Sequence, residues 1–197
     1  MATSYKYERS TGQYRGNDGR FVSPSIIATL VDTTQNALRD DLKQITAKLT
    51  SNRLSIAQWQ AGMMSALKTT HYQLALLGSG NADVSKLVAK GLADNALQLD
   101  RMGNSIAQGK YSAAQISNYA ANYANSTKQT FYAAQIEARG ESGIKTAKRV
   151  LDGQAKHCQD CLRYAGLGYV SLEDLVLPTN DCECGQGCKC SVVYRWY

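Results

Sequence analysis

All six cysteines of this 197-residue chain fall between positions 158 and 190, in the run HCQDCLRYAGLGYVSLEDLVLPTNDCECGQGCKC. A segment this rich in thiols and glycine, and this poor in apolar residues, does not close a core by side-chain burial alone; it needs cross-links or a metal. Everything before it must fold without thiols. The character of the chain changes near residue 150, which gives three expected parts: an extended N-terminal arm over 1–22, helices over 23–150 and a Cys-rich module over 151–197.

The middle part is written in helical spacing. Ser23 before Pro24 is an N-cap followed by the residue best suited to a first helical position, and Val31, Leu38, Leu42, Ile45 and Leu49 follow on one face. A capping box at Ser55 and Gln58 opens a second stripe of Ile56, Trp59, Met63, Leu67, Leu74 and Leu77, which GSGN stops. A third runs from about Asp83 through Val88, Leu92, Leu99, Met102 and Ile106. The fourth and longest starts at a capping box, Ser112 and Gln115, with Ile116, Tyr119, Tyr123, Phe131, Ala134 and Ala138, and breaks at the glycines of RGESG. IKTAKRVL is expected to resume a short helix. The reading is a mainly α protein, an antiparallel helical bundle of about four helices with a small zinc-ribbon or treble-clef-like C-terminal module.

The arm carries Tyr5, Tyr7 and Tyr14 among turn-forming residues, more aromatic surface than a solvating tail needs, so it is expected to dock on its own helices or on a neighbouring subunit. The first residues lack the apolar run of a secretory signal, which suggests thiols made in a reducing cytosol. No stretch reaches the roughly 18 apolar residues of a membrane span, so a soluble protein is expected. With 22 basic and 16 acidic residues the net charge of +6 is a modest bias. Lys145, Lys148 and Arg149 are the candidate nucleic-acid contacts, against the simpler account of a solvated basic surface.

Cys158 and Cys161 form C-x2-C, the usual one-ion geometry, and twenty residues separate them from Cys182, Cys184, Cys188 and Cys190. Two sulfurs from each end of such a loop suit tetrahedral zinc. Spacing leaves the second pair open: Cys184 with Cys188, Cys182 with Cys188, or Cys188 with Cys190. The alternative to a metal is disulfides, an even number of thiols oxidised later. His157 adjoins Cys158, but adjacent side chains diverge and thiols are in surplus. His71 reads as a packed helix residue.

No catalytic pattern emerges. The deaminase H-x-E and the protease H-E-x-x-H are missing, since the histidines read HYQ and HCQ. Neither G-x-S-x-G nor a P-loop is present, and Glu173 and Asp174 are neighbours that diverge rather than an acid and base pair. An all-cysteine site leaves zinc no open position.

YRGNDGRFVS, LSIAQWQAGMMSALKTTH, YSAAQISNYAANYANSTKQTFY, HCQDC and CKCSVVYR together resemble the minor head proteins of tailed phages, of the head-morphogenesis type. The resemblance spans most of the chain, and its cysteine end is the most specific part. It implies a non-enzymatic virion protein, assembled in the host cytoplasm, that meets capsid, portal or neck proteins in multiple copies and, as some members of the family do, packaged DNA. It also implies a zinc set of Cys158, Cys161, Cys188 and Cys190, with Cys182 and Cys184 as extra thiols outside the family pattern. The competing readings are a zinc-ribbon nucleic-acid binder, whose affinity would fall steeply with salt, and a capsid cement, decoration or connector protein.

Overall fold

The structure, a computed structural model, describes residues 5–8, 11, 13–80, 83–178, 182–184 and 188–196. It is mainly helical, with a small antiparallel sheet at each end. Among the described residues no helix is long and apolar enough to cross a membrane.

Helix α1 (Pro24–Thr50) begins where Ser23 Oγ accepts from the Ile26 N–H, and it buries Ile27, Val31, Leu38, Leu42 and Leu49 along one stripe. Helix α2 (Ile56–Ser79) opens with the full capping box: Gln58 N–H donates to Ser55 Oγ at 3.2 Å, and Ser55 N–H donates to Gln58 Oε1 at 2.9 Å. It is the central helix, in contact with α1, with α3 (Ser85–Ala107) and with α5 (Ser126–Glu141). Leu42, Trp59, Met63, Leu67 and Leu99 form the main core, and Trp59 Nε1–H donates to Thr46 Oγ1 at 3.0 Å. Each such side chain contributes about 1.5–3 kcal/mol of burial.

Two glycines are dictated by close approach. A Cβ on Gly78 would stand 2.5 Å from the Phe131 carbonyl oxygen, so α2 and α5 approach backbone to backbone there. Gly80 ends α2 in the left-handed region, φ 64°, with the Tyr7 backbone lying where its side chain would be.

The expected fourth helix is two. Helix α4 (Ala113–Asn122) and α5 are separated by a single 3-10 turn, Tyr123–Asn125. Side chains compete there for the helical carbonyls: Ser126 Oγ–H donates to Tyr123 O at 2.7 Å, Thr127 Oγ1–H to Ala124 O at 2.7 Å, and Gln35 Nε2–H to Ala124 O at 3.2 Å. The ladder tightens as a result.

The arm segment is not merely extended. Strands β1 (Lys6–Glu8), β2 (Gln13–Arg15) and β3 (Phe21–Val22) form an antiparallel meander, with Tyr7 opposite Tyr14 and both rings buried against α1, α2 and α5. It docks on the chain's own helices.

IKTAKRVL is a strand, not a helix. In β4 (Thr146–Val150) the burial alternates, with Ala147 and Arg149 inward. Strand β4 lies between β5 (Val170–Ser171) and β6 (Ser191–Arg195), paired antiparallel to both, in a register that sets Val150 opposite Ser191 and Thr146 opposite Arg195. Pairing partners far along the chain override the local helical spacing. The boundary placed at 150 therefore falls at the end of a strand whose partners belong to the Cys-rich segment.

Candidate metal centre

The site starts with a helix cap. Cys158 is the N-cap of α6 (Gln159–Gly166), and its Sγ accepts from the Cys161 N–H at 3.4 Å. The C-x2-C spacing is thus the N-cap to N3 spacing, which turns both sulfurs to one side of the first turn. Asp160, in that turn, accepts from the Glu183 N–H at 3.0 Å and pairs with Arg163 at 2.8 Å. This holds the Cys182–Cys184 stretch against α6. Cys188 and Cys190 arrive on the lead-in to β6, and Tyr132 of α5 donates its hydroxyl to the Cys190 carbonyl at 3.4 Å. Leu151 packs against the sulfurs.

All six thiols converge in one cluster, in which Cys161, Cys188 and Cys190 are buried. The Sγ atoms of Cys158, Cys161, Cys182 and Cys184 all lie within 4.8 Å of one another. Cys161 and Cys184 are 3.3 Å apart and Cys182 and Cys184 3.5 Å. A tetrahedron with metal–sulfur bonds of about 2.3 Å has edges of about 3.8 Å, so the group is close to the size that one ion requires. A second group joins His157, Cys161 and Cys190. No two of the sulfurs stand at bonding distance, and none of the six cysteines is in a disulfide.

Arg149, only 2% exposed, projects from β4 into this cluster. Its Nη2 lies 3.1 Å from Cys188 Sγ, 3.5 Å from Cys161 Sγ and 4.0 Å from Cys182 Sγ. Nε and Nη1 are buried without a hydrogen-bond partner among the described residues. Burial opposes the charge, yet hydrogen bonds to Cys190 and Cys182 and the neighbouring Cys188 more than offset it, and the guanidinium is held above its ordinary range. The thiols are pushed apart in acidity. Burial alone raises Cys158, but backbone hydrogen bonds from Cys161 and Cys184 outweigh it and bring the thiol down to about 7. Burial pushes Cys161, Cys184 and Cys190 up. So many sulfurs cannot ionise side by side without a cation among them, and a divalent ion reverses that preference.

The residues singled out from sequence separate. Cys158 and Cys161 share a group with Cys182 and Cys184, while Cys190 falls with His157, and Cys188 stands 3.7 Å from Cys161. Lys145 is exposed, Lys148 sits 5.0 Å from the Tyr169 ring, and Arg149 faces inward, so the three share no surface. Asp174 and Ser171 close a turn on each other, with Glu173 exposed beside them. His71 is in the helical core, hydrogen-bonded to Thr130 and Asn95. His157, set aside in the sequence reading as a candidate ligand beside surplus thiols, lies within reach of Cys161 and Cys190, and Arg149, read there as a nucleic-acid contact, faces the sulfurs instead. The only signal for Arg149 was the alternation of TAKRV, visible once the segment is read as a strand.

Comparison with protein-family models, with curated proteins and with solved structures gives no match to this chain.

Proposed function

We propose that this chain is a non-enzymatic structural protein, a helical bundle whose C-terminal module is folded by zinc and which serves in the head of a tailed-phage particle. The observation that carries the metal is Arg149: a buried guanidinium among thiols is compensated only if those sulfurs are thiolates, and a bound cation is what keeps several adjacent thiols deprotonated. An all-sulfur cage of near-tetrahedral size favours zinc over the harder divalent ions. Cys158, Cys161, Cys182 and Cys184 hold it, and four thiolates leave no open position for a substrate, which supports a structural role.

The setting rests on the motifs that resemble minor head proteins. Capsid, portal or neck proteins are the partners of that setting, with the chain present in multiple copies. Contact with packaged DNA through Lys145, Lys148 and Arg149 loses support, because Arg149 is committed to the sulfurs.

Two measurements test this. Chelation of the purified protein is expected to make residues 151–197 protease-sensitive while far-ultraviolet circular dichroism retains the helical signal; unchanged protection with chelator in excess overturns the zinc assignment. Mass spectrometry of purified particles is expected to find the chain, and finding it only free in the infected-cell lysate overturns the head role.

A further inference from the structure

The cluster holds more ligands than one ion uses. Once Cys158, Cys161, Cys182 and Cys184 are assigned, Cys188 and Cys190 remain, both buried. His157 Nδ1 lies 3.9 Å from Cys190 Sγ, and a zinc ion held by one nitrogen and one sulfur sets them about 3.6 Å apart. The other ring nitrogen is already used. Nε2 stands 2.7 Å from the Asp152 carbonyl oxygen, a partner that can only accept, so Nε2 carries the proton and Nδ1 presents its lone pair to the sulfurs. A backbone carbonyl behind a histidine is the usual device that orients a metal-binding imidazole.

Cys161 belongs to both groups and is fully buried between them. Its Sγ is 3.3 Å from Cys184 on one side and 3.7 Å from Cys188 on the other.

The geometry points to a two-metal centre in which Cys161 is a thiolate shared between two zinc ions. The first ion is the four-thiol site of the proposed function, on which this inference rests. The second is held by His157, Cys190 and the shared Cys161, with Cys188 as its fourth ligand. A thiolate sulfur has lone pairs enough for two ions, and each ligand thiol releases its proton to solvent on binding. Six thiolates around two divalent ions carry a surplus of two negative charges, and Arg149, whose one Nη2 reaches Cys182 of the first site and Cys188 of the second, offsets one of them.

The full-length chain, stripped of metal and titrated with zinc, is to be followed by native mass spectrometry, and the cadmium-substituted wild type by cadmium NMR. Two ions per chain are expected, falling to one in His157→Ala, with two cadmium resonances coupled to each other through the common sulfur. Saturation at one ion in both wild type and variant overturns the shared centre and leaves the single four-thiol site standing. Two ions without mutual coupling in wild type overturn the bridging role of Cys161 whatever the variant does. No bound ion at all overturns both this inference and the zinc reading beneath it.

Discussion

Two three-stranded antiparallel sheets rest on the same helix, one made from the first residues of the chain and one from the last, and they are built on opposite principles. The N-terminal sheet is a local meander that buries tyrosine rings: Tyr7 and Tyr14 meet at a tilt, centroids 5.3 Å apart, between the strands and α2 and α5. The C-terminal sheet takes its strands from distant stretches and buries sulfur and a guanidinium behind β4. The first is held by area removed from water, whereas the second gathers six thiols around a buried charge. They meet on α5. Gln135 Nε2–H donates to the Tyr14 hydroxyl at 2.7 Å and its Oε1 accepts from Tyr194 at 3.2 Å, while the Arg139 guanidinium lies over Tyr7 at 4.8 Å and over Tyr194 at 4.1 Å.

That contrast predicts separate failure. Tyr7→Ala removes a fully buried ring from the N-terminal sheet and is expected to cost about 3–5 kcal/mol, read as a lower urea midpoint with metal content unchanged. The control is Tyr7→Phe. The Tyr7 hydroxyl is buried without a partner among the described residues, so losing it costs less than about 1 kcal/mol or stabilises. A large loss from Tyr7→Phe would show that the sheet depends on a polar contact rather than on buried area.

Acid tests the helical floor beneath both sheets. His71 on α2 has Nε2 facing the Asn95 amide nitrogen and Nδ1 facing Thr130 Oγ1, each at 2.8 Å, and burial lowers its pKa from 6.5 to about 4. The unfolded chain takes up the proton near pH 6.5 and the folded protein only near 4, so stability present above pH 6.5 falls as pH drops through this window, by about 3 kcal/mol at most. Below it the loss is constant. Urea midpoints between pH 7 and 5 should slope in wild type and flatten in His71→Gln; equal slopes would remove His71 from the account.

A smaller loss than at Tyr7→Ala or His71 is expected at the joint. Arg139→Met keeps the aliphatic stem but removes the charge from the Tyr7, Tyr14 and Tyr194 rings, at a cost of about 1–2 kcal/mol. Hydrogen exchange should quicken in β1, β2 and β6 together. Faster exchange in one sheet alone would mean that the sheets are not joined through this side chain.

The helices were legible because their determinants are local. Ser55 and Gln58, Ser112 and Gln115, Ser23 and Pro24 act within one turn, and the stripes of α1 and α2 repeat at helical spacing, so residues three or four apart carry the information. The 3-10 turn after α4 was written in the Ser126 and Thr127 side chains, yet their hold on the Tyr123 and Ala124 carbonyls appears only in three dimensions.

By itself, then, the sequence determined the helical body, its caps, and the concentration of every thiol at one end. The tertiary structure decided that IKTAKRVL is a strand, that Arg149 turns inward from it, that Cys182 and Cys184 join Cys158 and Cys161, and that His157 faces Cys190. Caps and stripes are set by neighbours along the chain, whereas strand pairing and the grouping of the thiols depend on which distant segments the packed helices bring together.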